Sequence, residues 1–70
     1  MRDPNRIDPL IEAIRSLWKA YPDLRLGQLM ENIYLSAKEE TGSTASMFYM
    51  EDSIMEKGIE RTLDSLTRPR

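Results

Sequence analysis

The 70-residue chain contains neither cysteine nor histidine. Without cysteine there is no disulfide framework and no thiolate nucleophile. Without histidine the commonest general base is missing, and a Ser-His-Asp arrangement is excluded. Zinc would have to rest on carboxylates alone, which zinc sites rarely do. Only three glycines occur, Gly27, Gly42 and Gly58. They are too far apart for either standard glycine-rich phosphate loop. No apolar run approaches the roughly 18 residues that a membrane-spanning helix needs. Charge of one sign is also lacking: ten basic and twelve acidic residues leave a net charge of −2. No overall field draws the chain to nucleic acid or to an acidic membrane. No catalytic residue, cofactor or metal site is expected, and the chain reads as non-enzymatic.

What is present is the composition of a folded domain, 40% hydrophobic and 31% charged. The length allows one domain, spanning 1–70 and ordered over about residues 3–66. A chain this short buries only about 60% of its unfolded surface, so its stability is marginal without help. With no disulfide and no histidine or cysteine for a metal, that help reduces to close helix packing or burial against a partner. A protein partner or self-association, giving a homo-oligomer, is therefore expected. Met1-Arg2-Asp3-Pro4 lacks the apolar stretch of a signal peptide, so a cytoplasmic location with no membrane contact is expected.

Three stretches carry helical periodicity. Ile7, Leu10, Ile11, Ile14, Leu17, Trp18 and Tyr21 recur at spacings of three and four. Asp3-Pro4 and Asp8-Pro9 both look like a cap followed by proline at the first helical position. A helix starting at Pro4 would place Pro9 inside it, so the expected arrangement is a turn at 4–7 and a regular helix from Pro9 to about Ala20. Leu26, Leu29, Met30, Ile33, Tyr34 and Ala37 predict a second helix over about 25–38. Gly27 in its first turn suggests close approach of another backbone, that of the first helix. Residues 39–46 read as a polar loop, with Gly42 as the helix stop. Met47-Phe48-Tyr49-Met50 reads as a short extended segment whose aromatics insert into the core. Asp52 or Ser53 then caps a third helix, with Ser53 and Glu56 spaced as a capping box. Its inner face holds Ile54, Met55, Ile59, Thr62, Leu63 and Leu66. Gly58 within it reads as a packing notch, and Thr67 to Arg70 as a trailing end. The expected fold is all-α: a compact three-helix bundle with a short extended aromatic segment before the third helix.

Clusters that could carry chemistry have plainer readings. Glu39-Glu40 reads as solvated surface. Glu51, Asp52 and Glu56 could hold a hard cation, but they lack the alternating pattern and glycine of a calcium loop. Capping and complementing the helix dipole account for them better. Nucleic-acid binding has little footprint. The connection between the second and third helices is far longer than a helix-turn-helix allows. Glu56, Glu60 and Asp64 on the third helix would repel phosphates. The first helix mixes both charge signs, unlike a membrane-surface anchor. Trp18 reads first as a core residue and second as an interface hot spot. The five methionines read as core filler first and adaptable binding surface second.

Three segments, Met1-Arg2-Asp3-Pro4-Asn5-Arg6-Ile7, Tyr21-Pro22-Asp23-Leu24-Arg25-Leu26-Gly27-Gln28-Leu29 and Phe48-Tyr49-Met50-Glu51-Asp52, together resemble a family of short, uncharacterised proteins of bacteria and their phages. Pro9 within the first helix and the long polar loop at 39–46 depart from that pattern. The resemblance implies no activity. It marks Arg25, Gly27, Gln28, Tyr49, Glu51 and Asp52 as signature positions. The structural account expected of them is that Phe48 and Tyr49 lock the loop onto the first two helices, Asp52 caps the third, and Arg25 pairs with Glu51. The candidate interaction residues are thus Trp18, Arg25, Gln28, Phe48, Tyr49, Glu51 and Asp52. The leading expectation is a small protein-interaction or self-associating accessory module, phage-derived or of the host. The alternative is a DNA-associated regulator built on a helical bundle.

Overall fold

A computed structural model describes residues 2–67, with side chains described as far as Asp64. A 3-10 turn at Pro4–Arg6 leads into α1 (Ile7–Ala20), followed by α2 (Leu26–Thr41), a second 3-10 turn at Met47–Tyr49, and α3 (Asp52–Thr67). The described residues contain no strand, and the chain is an all-α three-helix bundle. The expected place of Leu66 on the inner face of α3, and the trailing end beyond Thr67, lie outside the described residues.

Helical conformation begins at the first Asp-Pro pair. Asp3 is extended, and its carboxylate accepts from the Asn5 N–H at 2.9 Å. The turn runs directly into α1, which starts at Ile7 and not at Pro9. Pro9 is tolerated because it is the third residue of the helix. The first four N–H groups of a helix have no partner within it, so proline removes little there. Asp8 sits in the first turn and does not cap; its charge still favours the positive end of the helix dipole. At the other end, the Tyr21 N–H donates to the carbonyls of Leu17 and Trp18. Pro22, with its fixed φ and no N–H, cannot continue the helix.

α2 starts at Leu26, after Arg25 in extended conformation. The Gln28 side-chain oxygen accepts from the Arg25 N–H at 2.8 Å. Arginine has no acceptor atom, so only half of a reciprocal capping box forms. Residues 39–41, expected in the polar loop, continue the helix. Glutamate is a good helix former, and an exposed last turn needs no apolar residue to persist. Gly42 ends it at φ 73°, its N–H donating to the Lys38 carbonyl at 2.8 Å. Glycine adopts this left-handed conformation without steric cost. The loop is therefore 42–46. Tyr34 pins it by donating from its hydroxyl to the Ala45 carbonyl at 3.1 Å.

α2 and α3 make the most intimate pair in the molecule. Leu29, Ile33 and Ala37, four residues apart, form the buried stripe of α2. Gly58 and Ile59 of α3 are buried against it, with Met55 and Leu63 half-buried beside them. A methyl group on Gly58 would press into the Ile33 carbonyl oxygen and lie 2.9 Å from both the backbone nitrogen and the Cβ of Ala37. Gly58 is thus a notch that lets the two backbones approach. Near it the hydroxyls of Thr62 and Ser36 stand 3.2 Å apart, and the Thr62 hydroxyl donates to the Gly58 carbonyl at 2.8 Å. Leu17 completes the core cluster of Leu17, Leu29, Ile33 and Ile59, and it is the only residue of α1 that is fully buried.

Gly27 does not play the part expected of it. No atom outside its own surroundings lies within 4 Å of where its Cβ would be, and the residue is exposed. No backbone approaches it. Gly27→Ala should therefore raise stability by about 0.5–1 kcal/mol, the helix-propensity difference, as read by thermal unfolding. Unchanged or lower stability would show that the glycine serves another purpose.

Candidate functional site

Phe48 and Tyr49 do not enter the core. They are 86% and 75% exposed, and their rings meet edge to face at 4.9 Å. The stretch expected to be extended is so only at its ends, Ser46 and Met50, and closes into a 3-10 turn between them. With about three residues per turn, one side chain in three can face inward. The inward side is taken by Met50, which follows the turn and is buried, while Phe48 and Tyr49 project outward.

Asp52 and Glu51 are placed together but not as expected. Glu51 does not pair with Arg25; it meets Arg2 at 3.1 Å. Asp52 is the first residue of α3, and Arg6 donates to its carboxylate. Ser53 and Glu56 consequently fall inside the helix, past the position where a capping box can form. The second acidic doublet is likewise engaged: Arg61 of α3 reaches Glu39 at 3.0 Å and Glu40 at 3.4 Å. Glu39 and Glu40 are therefore ion-pair partners as well as solvated surface. These pairs are largely exposed, so each contributes little stability, at most about 1 kcal/mol. They orient the first turn onto α3, and the end of α2 onto α3. Among the described residues no group of three or more metal-ligating side chains is placed to hold an ion.

Trp18 is the candidate whose position carries most consequence. It is 36% exposed, so it is not a core residue. Its indole N–H donates to the Leu24 carbonyl at 2.8 Å, fixing the ring over the α1–α2 connection. There it forms the wall of an open cavity of about 730 Å³. Ile11, Ile14, Pro22, Leu26 and Met30 supply the rest of the apolar lining, and Arg15 and Lys19 line it too. A smaller cavity of about 260 Å³ adjoins it, sharing Ile11, Ile14 and Met30 and reaching Ile7 and Met55. Ile7, Ile11 and Leu26 are 46%, 51% and 53% exposed, so the apolar face is open along the whole outer side of α1.

No known protein family, curated protein or solved structure matches this chain. The site must be read from its own geometry.

Of the candidate residues, Arg25 and Gln28 are brought together only by the cap of α2. Phe48 and Tyr49 form a separate exposed knuckle. The cavity joins Trp18 to residues not singled out in the sequence: Ile11, Ile14, Leu26 and Met30. A signal for them exists. At about 100° per residue, the apolar positions of α1 from Ala13 to Ile11 span roughly 160° of its circumference. Leu10, Ala13, Leu17 and Tyr21 occupy one part of that arc. Ile7, Ile11 and Trp18 occupy the other, and among the described residues they stay 36–51% exposed. Among the described residues, moreover, no helix is long and apolar enough to cross a membrane.

Proposed function

We propose that this chain is a small non-enzymatic interaction module that binds protein through the outer face of α1 and the start of α2. The observation that carries this reading is the open apolar cavity bounded by Ile11, Trp18, Leu26 and Met30. Scattered exposed apolar residues are ordinary on any protein, but a contiguous apolar face lined also by two basic side chains is the form of a docking surface. Its shape suits an amphipathic helix laid into a groove, anchored by apolar side chains one helical turn apart. A half-exposed tryptophan with its N–H already satisfied suits a hot spot, since binding buries the ring without stranding a donor. Met30 and Met55 add adaptable walls.

The test is capture by a tagged chain from nuclease-treated lysate of the cells that encode it, together with a co-expressed untagged copy. The same capture is run with Ile11→Asp and with Trp18→Ser. Ile11 is 51% exposed and Trp18 36%, and circular dichroism checks that each variant keeps its helices. The wild type is expected to retain a protein, host-encoded or the untagged copy, that both variants lose. Equal retention by all three would move the binding site away from this face.

A further inference from the structure

We infer that the occupant of the α1 face is a second copy of this chain, packed antiparallel about a two-fold axis. The inference rests on the reading of that face as a protein-binding surface, and it specifies the partner. The argument comes from how charge is distributed beside the apolar stripe.

Four charged residues of α1 fall in one narrow band flanking Ile11 and Trp18. Asp8, Glu12, Arg15 and Lys19 lie within about 60° of one another on the helix circumference, roughly 90° from the apolar stripe. The band is acidic in its N-terminal half and basic in its C-terminal half. Within one chain Arg15 and Glu12 of this band form an exposed pair at 3.6 Å. A two-fold axis perpendicular to the helix brings the same flank of both helices to the same side of the interface, with direction reversed. The acidic half of each copy then meets the basic half of the other.

The register follows from the apolar stripe. When Ile11 stands opposite Trp18 of the second copy, Trp18 stands opposite its Ile11, as two-fold symmetry requires. Glu12 then comes level with Leu17 of the second copy. That is two residues, about 3 Å along the axis, from both Arg15 and Lys19 of that copy. One register thus satisfies the apolar and charged stripes together, twice over. A parallel pairing sends the two flanks to opposite sides and forms no such bridges. Self-pairing also supplies the burial that a core of four fully enclosed large side chains, Leu17, Leu29, Ile33 and Ile59, leaves wanting.

The experiment is sedimentation equilibrium of the full chain over about a hundredfold dilution, where a reversible dimer changes its average mass. Two variants accompany it: Glu12→Lys, and the double substitution Arg15→Glu with Lys19→Glu. The Glu12 and Arg15 side chains are 66% and 59% exposed, so reversal should leave the fold intact, as checked by circular dichroism. The wild type is expected to move between two copies and one. Each variant alone places like charges opposite each other at both symmetric ends of the charged side and should dimerise about tenfold more weakly. Mixed in equal amounts, the two variants restore opposite charges between positions 12 and 15/19 at both symmetric ends, leaving only Asp8 against the new acid at 19, and should associate several-fold more tightly than either alone. Should a reversal disturb the fold, Glu12→Gln and Lys19→Gln, each weakening the dimer severalfold, take its place.

A wild type that stays monomeric throughout would overturn the inference. So would a dimer whose two variants associate no better mixed than apart, or one dissolved by Phe48→Ser with Tyr49→Ser but indifferent to the α1 charges. Capture of a host protein that is lost with Trp18→Ser would leave the binding-face reading standing while the second copy fell. Failure of that capture as well would remove both.

Discussion

Gly58→Ala should lower the unfolding free energy by about 3 kcal/mol, the upper end of overpacking in a tight interior. An exposed glycine within a helix normally behaves in the opposite way, gaining up to about 1 kcal/mol on conversion to alanine. The sign is reversed here by what the methyl group would meet. It would press on the Ile33 carbonyl and sit 2.9 Å from two atoms of Ala37. Two of these three atoms are backbone and cannot turn aside as a side chain can. α2 and α3 would have to separate, loosening Leu29, Ile33 and Ile59 together. Domains hold roughly 0.05–0.15 kcal/mol per residue, so a loss of about 3 kcal/mol would remove a large share of the total. Thermal and urea unfolding followed by circular dichroism read the effect. Paired with Gly27→Ala, expected to stabilise, it separates a notch from a merely permissive glycine. Equal behaviour of the two variants would contradict the α2–α3 packing.

Leu17→Ala should cost a similar amount, about 2–5 kcal/mol for a fully buried leucine. Its consequence differs in kind. Leu17 is the one fully buried residue of α1, enclosed with Leu29, Ile33 and Ile59. Truncation leaves a void where α1 meets the other helices, while α2 and α3 keep their own contacts. Hydrogen exchange should therefore quicken in α1 before α2 and α3. The same variant should weaken binding by the outer face, because Ile11 and Trp18 are held in place through Leu17. Uniform acceleration in all three helices would indicate a single cooperative unit and would remove this link between core and surface.

Much of the fold was legible in the sequence because helix periodicity is a direct record of which side is buried. Ile7 through Tyr21, and Ile54 through Leu63, marked α1 and α3. Gly42 marked the end of α2, and Gly58 read as a notch. The misreadings have physical causes. Residues 39–41 bring no apolar side chain of their own to extend the helical stripe, yet an exposed turn needs none. Pro9 suggested a boundary, but as the third residue of α1 it removes an N–H that had no partner within the helix. The run from Met47 to Met50 is apolar throughout, and hydrophobicity alone did not reveal that a 3-10 turn at Met47–Tyr49 would leave its aromatics outside and only Met50, after it, in the core. The ion pairs of Arg2, Arg6 and Arg61 with the two acidic doublets span 46 residues and 49 residues of sequence for the first turn, and 21 for Arg61 with Glu40. No local pattern carries such a pairing.

The candidate site was half legible. Trp18 stood out, but the same periodicity that identifies core positions assigned Ile11, Leu26 and Met30 to the interior. A helix in a three-helix bundle can cover only part of a wide apolar arc. Which part stays open depends on how the helices dock, and docking is a tertiary property. The width of the apolar arc on α1, about 160°, was the available clue, since a stripe of about 100° suffices to face one core.

Trp18 is the only tryptophan of the chain, so its emission reports the α1 face without ambiguity. The most direct measurement is therefore Trp18 fluorescence and its quenching by acrylamide as the captured protein is added or, if the occupant is a second copy, as the chain is concentrated. The account expects a shift of emission to shorter wavelength and weaker quenching as the complex forms, because the exposed edge of the ring becomes covered. Emission and quenching that stay constant while the complex assembles would place binding elsewhere and contradict the account.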